Sequence, residues 1–133
     1  MMQVDIVTDY LYKKGKNPIK TFFNQSEVFI GWKVTYPDFE VIYRLDNKEL
    51  IICDFTSTSS CENKGTSAIS FIKFIHDLEK SLTQIESVRG LFLNSPHPKL
   101  TNLRQRLINA LISQGAEWND IDNEKWLVYQ FKR

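Results

Sequence analysis

Several things are scarce in this sequence of 133 residues. No apolar run approaches the roughly 18–20 residues that a membrane-spanning helix needs. The opening stretch, MMQVDIVTDYLYKKGK, carries Asp5 and Asp9 inside its apolar part. A secretory signal instead puts positive charge first and then an unbroken apolar block. The expectation is a cytoplasmic protein with no membrane span. Cysteine is scarce too. Cys53 and Cys61 are too few for a disulfide framework. Cys53 sits in the apolar run LIICDF and reads as a small buried hydrophobe, while Cys61 lies in a polar loop. Two histidines and two cysteines, without CxxC or HxxxH spacing, give no metal site. There is no GxSxG, so a serine hydrolase elbow is absent. Charge of one sign is lacking as well: 17 Lys and Arg against 16 Asp and Glu leave a formal +1. That balance removes the basic excess on which nucleic-acid affinity rests, so no nucleic-acid partner is expected.

What is present is core material. Apolar residues make up 42% and aromatics 13%, enough for one ordinary domain over residues 1–133 and too much for disorder. Residues 3–14 place Val4, Ile6, Val7, Tyr10 and Leu11 at helical spacing, closed by Gly15. Pro18 opens a second short helix with Ile19, Phe22 and Phe23 as its apolar face. Residues 1–26 are thus expected to form two N-terminal helices ahead of a sheet domain over 27–133. From Val28 the composition turns aromatic and β-branched, as strands are. Three strands follow, over 28–35, 39–44 and 50–55, with turns at Pro37-Asp38 and Asp46-Asn47. Such short turns make an antiparallel meander.

A polar loop, TSTSSCENKGT, leads to a helix over about 67–83, whose wide apolar stripe packs on a sheet. A strand over 88–93, a helix over 100–113 ended by Gly115, and a strand over 125–131 complete the chain. The fold class is α+β: a mixed sheet in which a three-strand meander precedes helix-strand-helix-strand. The third and fourth strands, joined through a helix, are expected to be parallel.

This order resembles the GCN5-related N-acetyltransferase (GNAT) family over roughly residues 27–131. The resemblance implies an acyl-coenzyme A site between the third and fourth strands and at the start of the central helix. There the family's Gln/Arg-x-x-Gly-x-Gly/Ala motif meets Glu62-Asn63-Lys64-Gly65-Thr66-Ser67-Ala68. Gly65 fits; Glu62 stands where a basic or amide residue belongs, and an acid beside pyrophosphate is electrostatically wrong. By this resemblance Lys64, Gly65, Thr66, Ser67 and Arg104 would hold the cofactor. Asp54, ending a strand beside that loop, would take an amine proton. The tyrosine that often serves the family as general acid is missing, with Leu111 and Ile112 in its neighbourhood.

A narrower resemblance is to LcrR-type regulators of type III secretion. It rests on Pro18-Ile19, Gly31-Trp32-Lys33, Leu103 to Leu107 with Arg106, and Gly115-Ala116. It implies a bacterial regulator that works by protein contact. The sequence reading is therefore a GNAT-like protein without catalysis or cofactor, acting on a protein partner. The alternative is a small acyl-coenzyme A-dependent N-acyltransferase. Trp32 and Trp118 are the candidate partner surface, against a plain core role for both. His76 reads as a helix-surface histidine. His97, with Lys99, Arg104 and Arg106 nearby, reads as a solvated loop rather than an anion pocket.

Overall fold

A computed structural model describes residues 4–23, 26–57, 66–91 and 98–132. The first element, α1 (Ile6–Lys13), is capped by Asp5, whose carboxylate accepts from the Thr8 amide at 2.8 Å. The Thr8 hydroxyl also lies 2.7 Å from the Tyr43 hydroxyl, so the cap fastens the helix to the sheet. Burial outweighs that hydrogen bond and pushes the Tyr43 phenol well above its ordinary range. Gly15 and Gly115 close the first and last helices with φ of +84° and +110°, values only glycine adopts without strain.

Among the described residues, seven strands form one sheet in the order β1-β2-β3-β4-β5-β7-β6. They are β1 (Ile19–Phe22), β2 (Phe29–Thr35), β3 (Phe39–Asp46), β4 (Glu49–Ser57), β5 (Ser87–Gly90), β6 (Glu117–Ile121) and β7 (Glu124–Gln130). The strands β1 to β4 pair antiparallel in sequence, and β4 pairs with β5 in parallel across α2 (Thr66–Ser81). After α3 (Pro98–Ser113), β7 inserts antiparallel between β5 and β6. This is the α+β mixed sheet expected from the sequence, meander first.

Three expectations need correction. Ile19–Phe22 is a strand, so among the described residues the N-terminal region has one helix and not two. A helix of four or five residues closes too few hydrogen bonds to offset its nucleation. The same residues as a strand pair with β2 from Ile19↔Lys33 to Phe22↔Phe29. Second, Glu117–Ile121 is a strand that has no apolar alternation to announce it. Its signal is Asp122-Asn123, both at positive φ, the geometry of a two-residue hairpin turn. Third, β4 runs on to Ser57, into the stretch expected as loop.

One apolar cluster joins all three helices to the sheet. Val7 and Leu11 of α1, Phe71, Phe74, Ile75 and Leu78 of α2, and Leu107 and Leu111 of α3 meet Val41, Tyr43, Val88 and Tyr129. Alternation puts these strand residues on one face. Among the described residues no helix is long and apolar enough to cross a membrane.

Candidate functional site

The sheet opens between β4 and β5. Their parallel register runs from Glu49↔Ser87 to Ile52↔Gly90 and stops. Beyond Ile52, β4 continues five residues on the β3 side alone, to Ser57 opposite Phe39. Leu91 leaves the strand. The divergence makes a cleft of about 160 Å³, lined by Ile52, Cys53, Asp54, Phe55, Gly90, Leu91 and Arg104. This is where the acetyltransferase resemblance implies an opening.

Two of the residues singled out from the sequence line it. Asp54 comes from β4 and Arg104 from α3, fifty positions away. The Asp54 carboxylate is exposed and accepts from the Phe55 amide at 2.9 Å. Cys53 lies beside them as a half-buried free thiol, its sulfur 3.7 Å from the Ile30 carbonyl. Burial pushes that thiol's pKa up, Arg44 opposing and Asp54 adding, so it is no ready nucleophile.

Lys64 and Gly65 lie outside the described residues, as does His97. Thr66 begins α2. Ser67 is buried, and its hydroxyl donates to the Asp38 carbonyl at 2.8 Å. Ser70, one helical turn along, donates to the Asp38 carboxylate at 2.6 Å. A carboxylate from the β2–β3 turn thus sits one turn into α2, near its N-terminal end. That pairing suits the positive end of a helix. It does not suit an added pyrophosphate, which would meet like charge.

Leu111 is buried in the core and Ile112 is exposed, so neither brings acid chemistry to this end of α3. His76 is more tied down than a surface residue. Its Nδ1 lies 3.0 Å from Glu79 Oε1 and its Nε2 3.0 Å from Gln114 Oε1, bridging α2 to the end of α3. Of the tryptophans, Trp32 is only 7% exposed and packs beneath the Lys20 ammonium, so it offers no surface to a partner. This corrects the candidate surface drawn from the sequence. Trp118 is 45% exposed, on the opposite edge strand β6.

No family model matches the chain, and no curated protein matches it. Among solved structures, it is similar to the ribosomal-protein-S18-alanine N-acetyltransferase from Escherichia coli. The TM-score is 0.49 and the identity 11%, over 83% of this chain and 74% of that one.

Proposed function

We propose that this protein carries an acyltransferase-type architecture but works by protein contact, as a regulatory or accessory factor. The LcrR-type words in the sequence suggest bacterial type III secretion as its setting, which would place it in the cytoplasm. The observation that carries the reading is the Asp38 carboxylate near the start of α2, bonded to Ser70 one turn in. An acyl-coenzyme A would need its phosphates near that helix start, and a carboxylate one turn along disfavours them. The buried Leu111, where the family often has an acid, supports the same reading.

A second reading is favoured by the cleft itself. A small acyl-coenzyme A-dependent N-acyltransferase would use this opening, with Asp54 as its base and Arg104 as its cation. Calorimetric titration of the full chain with acetyl-coenzyme A separates the two. No binding is expected up to millimolar concentration. Stoichiometric binding that Arg104→Glu abolishes would establish the second reading and remove the first.

A further inference from the structure

Five of the nine large apolar side chains left in solvent among the described residues lie along one edge of the sheet. Ile19, Phe23 and Val28 are 60%, 57% and 64% exposed, and Phe22 and Phe29 are exposed beside them. All five lie on β1, on the start of β2 or in the turn between them. The rings of Phe22 and Phe29 meet edge to face at 6.0 Å, and Phe29 meets Trp32 at 6.1 Å, so the rings of the patch pack on one another. The strand beneath it, β1, is the outermost of the sheet. Its outer flank presents backbone donors and acceptors with no described strand to pair them.

Charge distinguishes this edge further. Between residues 9 and 22 there are four lysines and one acid, Asp9, which is already paired with Lys13 at 2.9 Å. The other three ammonium groups rest on aromatic rings instead of carboxylates. Lys14 lies over Tyr10 at 5.6 Å, Lys16 over Tyr36 at 4.2 Å and Lys20 over Trp32 at 5.7 Å. Lys14 and Lys16 also line a cleft of about 280 Å³ between α1 and α2, where Lys80 joins them and Asp77 is the one carboxylate. Lys16 stands just ahead of β1, so this positive cleft lies at one end of the strand and the aromatic patch at the other.

We infer that the β1 edge docks an extended acidic segment of a partner protein by strand addition. The inference rests on the protein-contact reading above and supplies its partner class. Main-chain hydrogen bonds to Ile19–Phe22 would give the pairing. Apolar side chains at one end of the segment would cover Phe22, Phe23 and Val28. Carboxylates at the other end would face Lys14, Lys16 and Lys20. At about 3.3 Å per residue, β1 sets these two ends roughly four residues apart. A second copy of this chain supplies no carboxylates for these lysines, because antiparallel β1 against β1 sets the lysine end of each copy against the aromatic end of the other.

The test is a titration of the full, isotope-labelled chain, followed by amide resonances. The probe is a synthetic ten-residue peptide of alternating valine and threonine, with phenylalanine near one end and three glutamates at the other. Its control carries lysine in place of each glutamate. The acidic peptide is expected to shift the amides of Lys16 to Phe22 and Phe29 to Trp32. Lys16→Glu and Lys20→Glu are each expected to weaken binding about tenfold, with Lys125→Glu without effect. Equal binding of the lysine peptide overturns the inference, as do shifts confined to Ile52–Phe55 or no shifts at millimolar peptide. Tighter binding of anionic vesicles or of a single-stranded RNA through the same residues overturns it in favour of those partners, and a dimer built on β1 does so in favour of a second copy. A failed peptide titration without acetyl-coenzyme A binding removes this edge alone. Acetyl-coenzyme A binding removes the protein-contact reading itself.

Discussion

The β4–β5 cleft and the β1 edge are both places where a strand runs without a neighbour, yet they suit opposite occupants. In the cleft, β4 keeps β3 on one flank and loses β5 beyond Ile52, so the unpaired stretch lies inside the sheet. Its lining mixes Asp54, Cys53 and Arg104 with Ile52 and Leu91, and its volume is about 160 Å³. At the edge, β1 keeps β2 and has open space outside, with apolar rings and lysines around it. An internal gap admits only what is slim enough to enter between two strands. An outer edge admits any chain that can extend. Burying a fully exposed phenylalanine yields roughly 1.5–3 kcal/mol, and these rings, already about half buried, would each yield about half of that on being covered.

The largest effect on this comparison is expected from Gly31 on β2. A Cβ there would run into the carbonyl oxygen of Tyr43 on β3, backbone that cannot swing aside. Gly31→Val is expected to cost about 1–3 kcal/mol, as overpacking does. The loss is expected to be uneven. Amide exchange at Ile19–Phe22 is expected to lose its protection, because β1 is held through β2 alone, while Ile52 and Gly90 keep theirs. Equal loss at both places would show that edge and cleft are not independent regions.

Glu79 offers the converse lever, on the side of the molecule that carries the cleft's α3 wall. Its carboxylate accepts from the Lys132 amide at 2.6 Å and from the Tyr129 hydroxyl at 3.2 Å, and pairs with His76 at 3.0 Å. Through His76 and Gln114 the same group reaches the end of α3. Burial alone would raise its pKa, but the hydrogen bonds from Lys132, His76 and Tyr129 outweigh it and hold the value below the ordinary 4.5. A carboxylate depressed in the folded state stabilises fully above its unfolded pKa and ceases to do so as pH falls through the folded one. Urea unfolding is therefore expected to show stability declining on the acid side of pH 4.5. Glu79→Gln is expected to cost about 1–2 kcal/mol at neutral pH and to flatten that acid limb. Binding of the acidic peptide at β1 is expected to stay unchanged in this variant.

Most of the sheet is legible in the sequence, because its core strands alternate and its short turns carry Pro37-Asp38 and Asn47. The misread elements are the two edge strands, for one physical reason. An edge strand buries little, so its letters do not have to alternate. In β1, Ile19, Phe22 and Phe23 fall at i, i+3 and i+4 behind a proline, which imitates a helix start. In β6, four of five side chains are exposed and leave only the hairpin turn to betray it. The cleft was half legible. Asp54 and Arg104 stand out as a strand-end acid and a helix cation, but their lining one cleft depends on how far β4 outruns β5. The Asp38 contact with α2 was not legible, since 32 residues separate Asp38 from Ser70 and no local spacing links them. Trp32 misleads in the other direction: a large ring suggests an anchor, and only the register opposite Tyr43 shows that it faces inward.

The smallest effect on stability, and the sharpest test of the edge, is expected from Phe23. Its backbone closes the turn, donating to the Val28 carbonyl at 2.9 Å and accepting from Ser26 at 2.8 Å, and both bonds survive a change of side chain. The ring itself is mostly in water, so a folding role would have to come from contacts it does not bury. Phe23→Ser is therefore expected to change folding stability by no more than about 0.5 kcal/mol. The same substitution is expected to weaken the acidic peptide severalfold and to reduce binding of a hydrophobic dye. A stability loss well beyond that bound would make the ring part of the fold, and the apolar corner would then be a cost of building β1 rather than a surface kept for a partner.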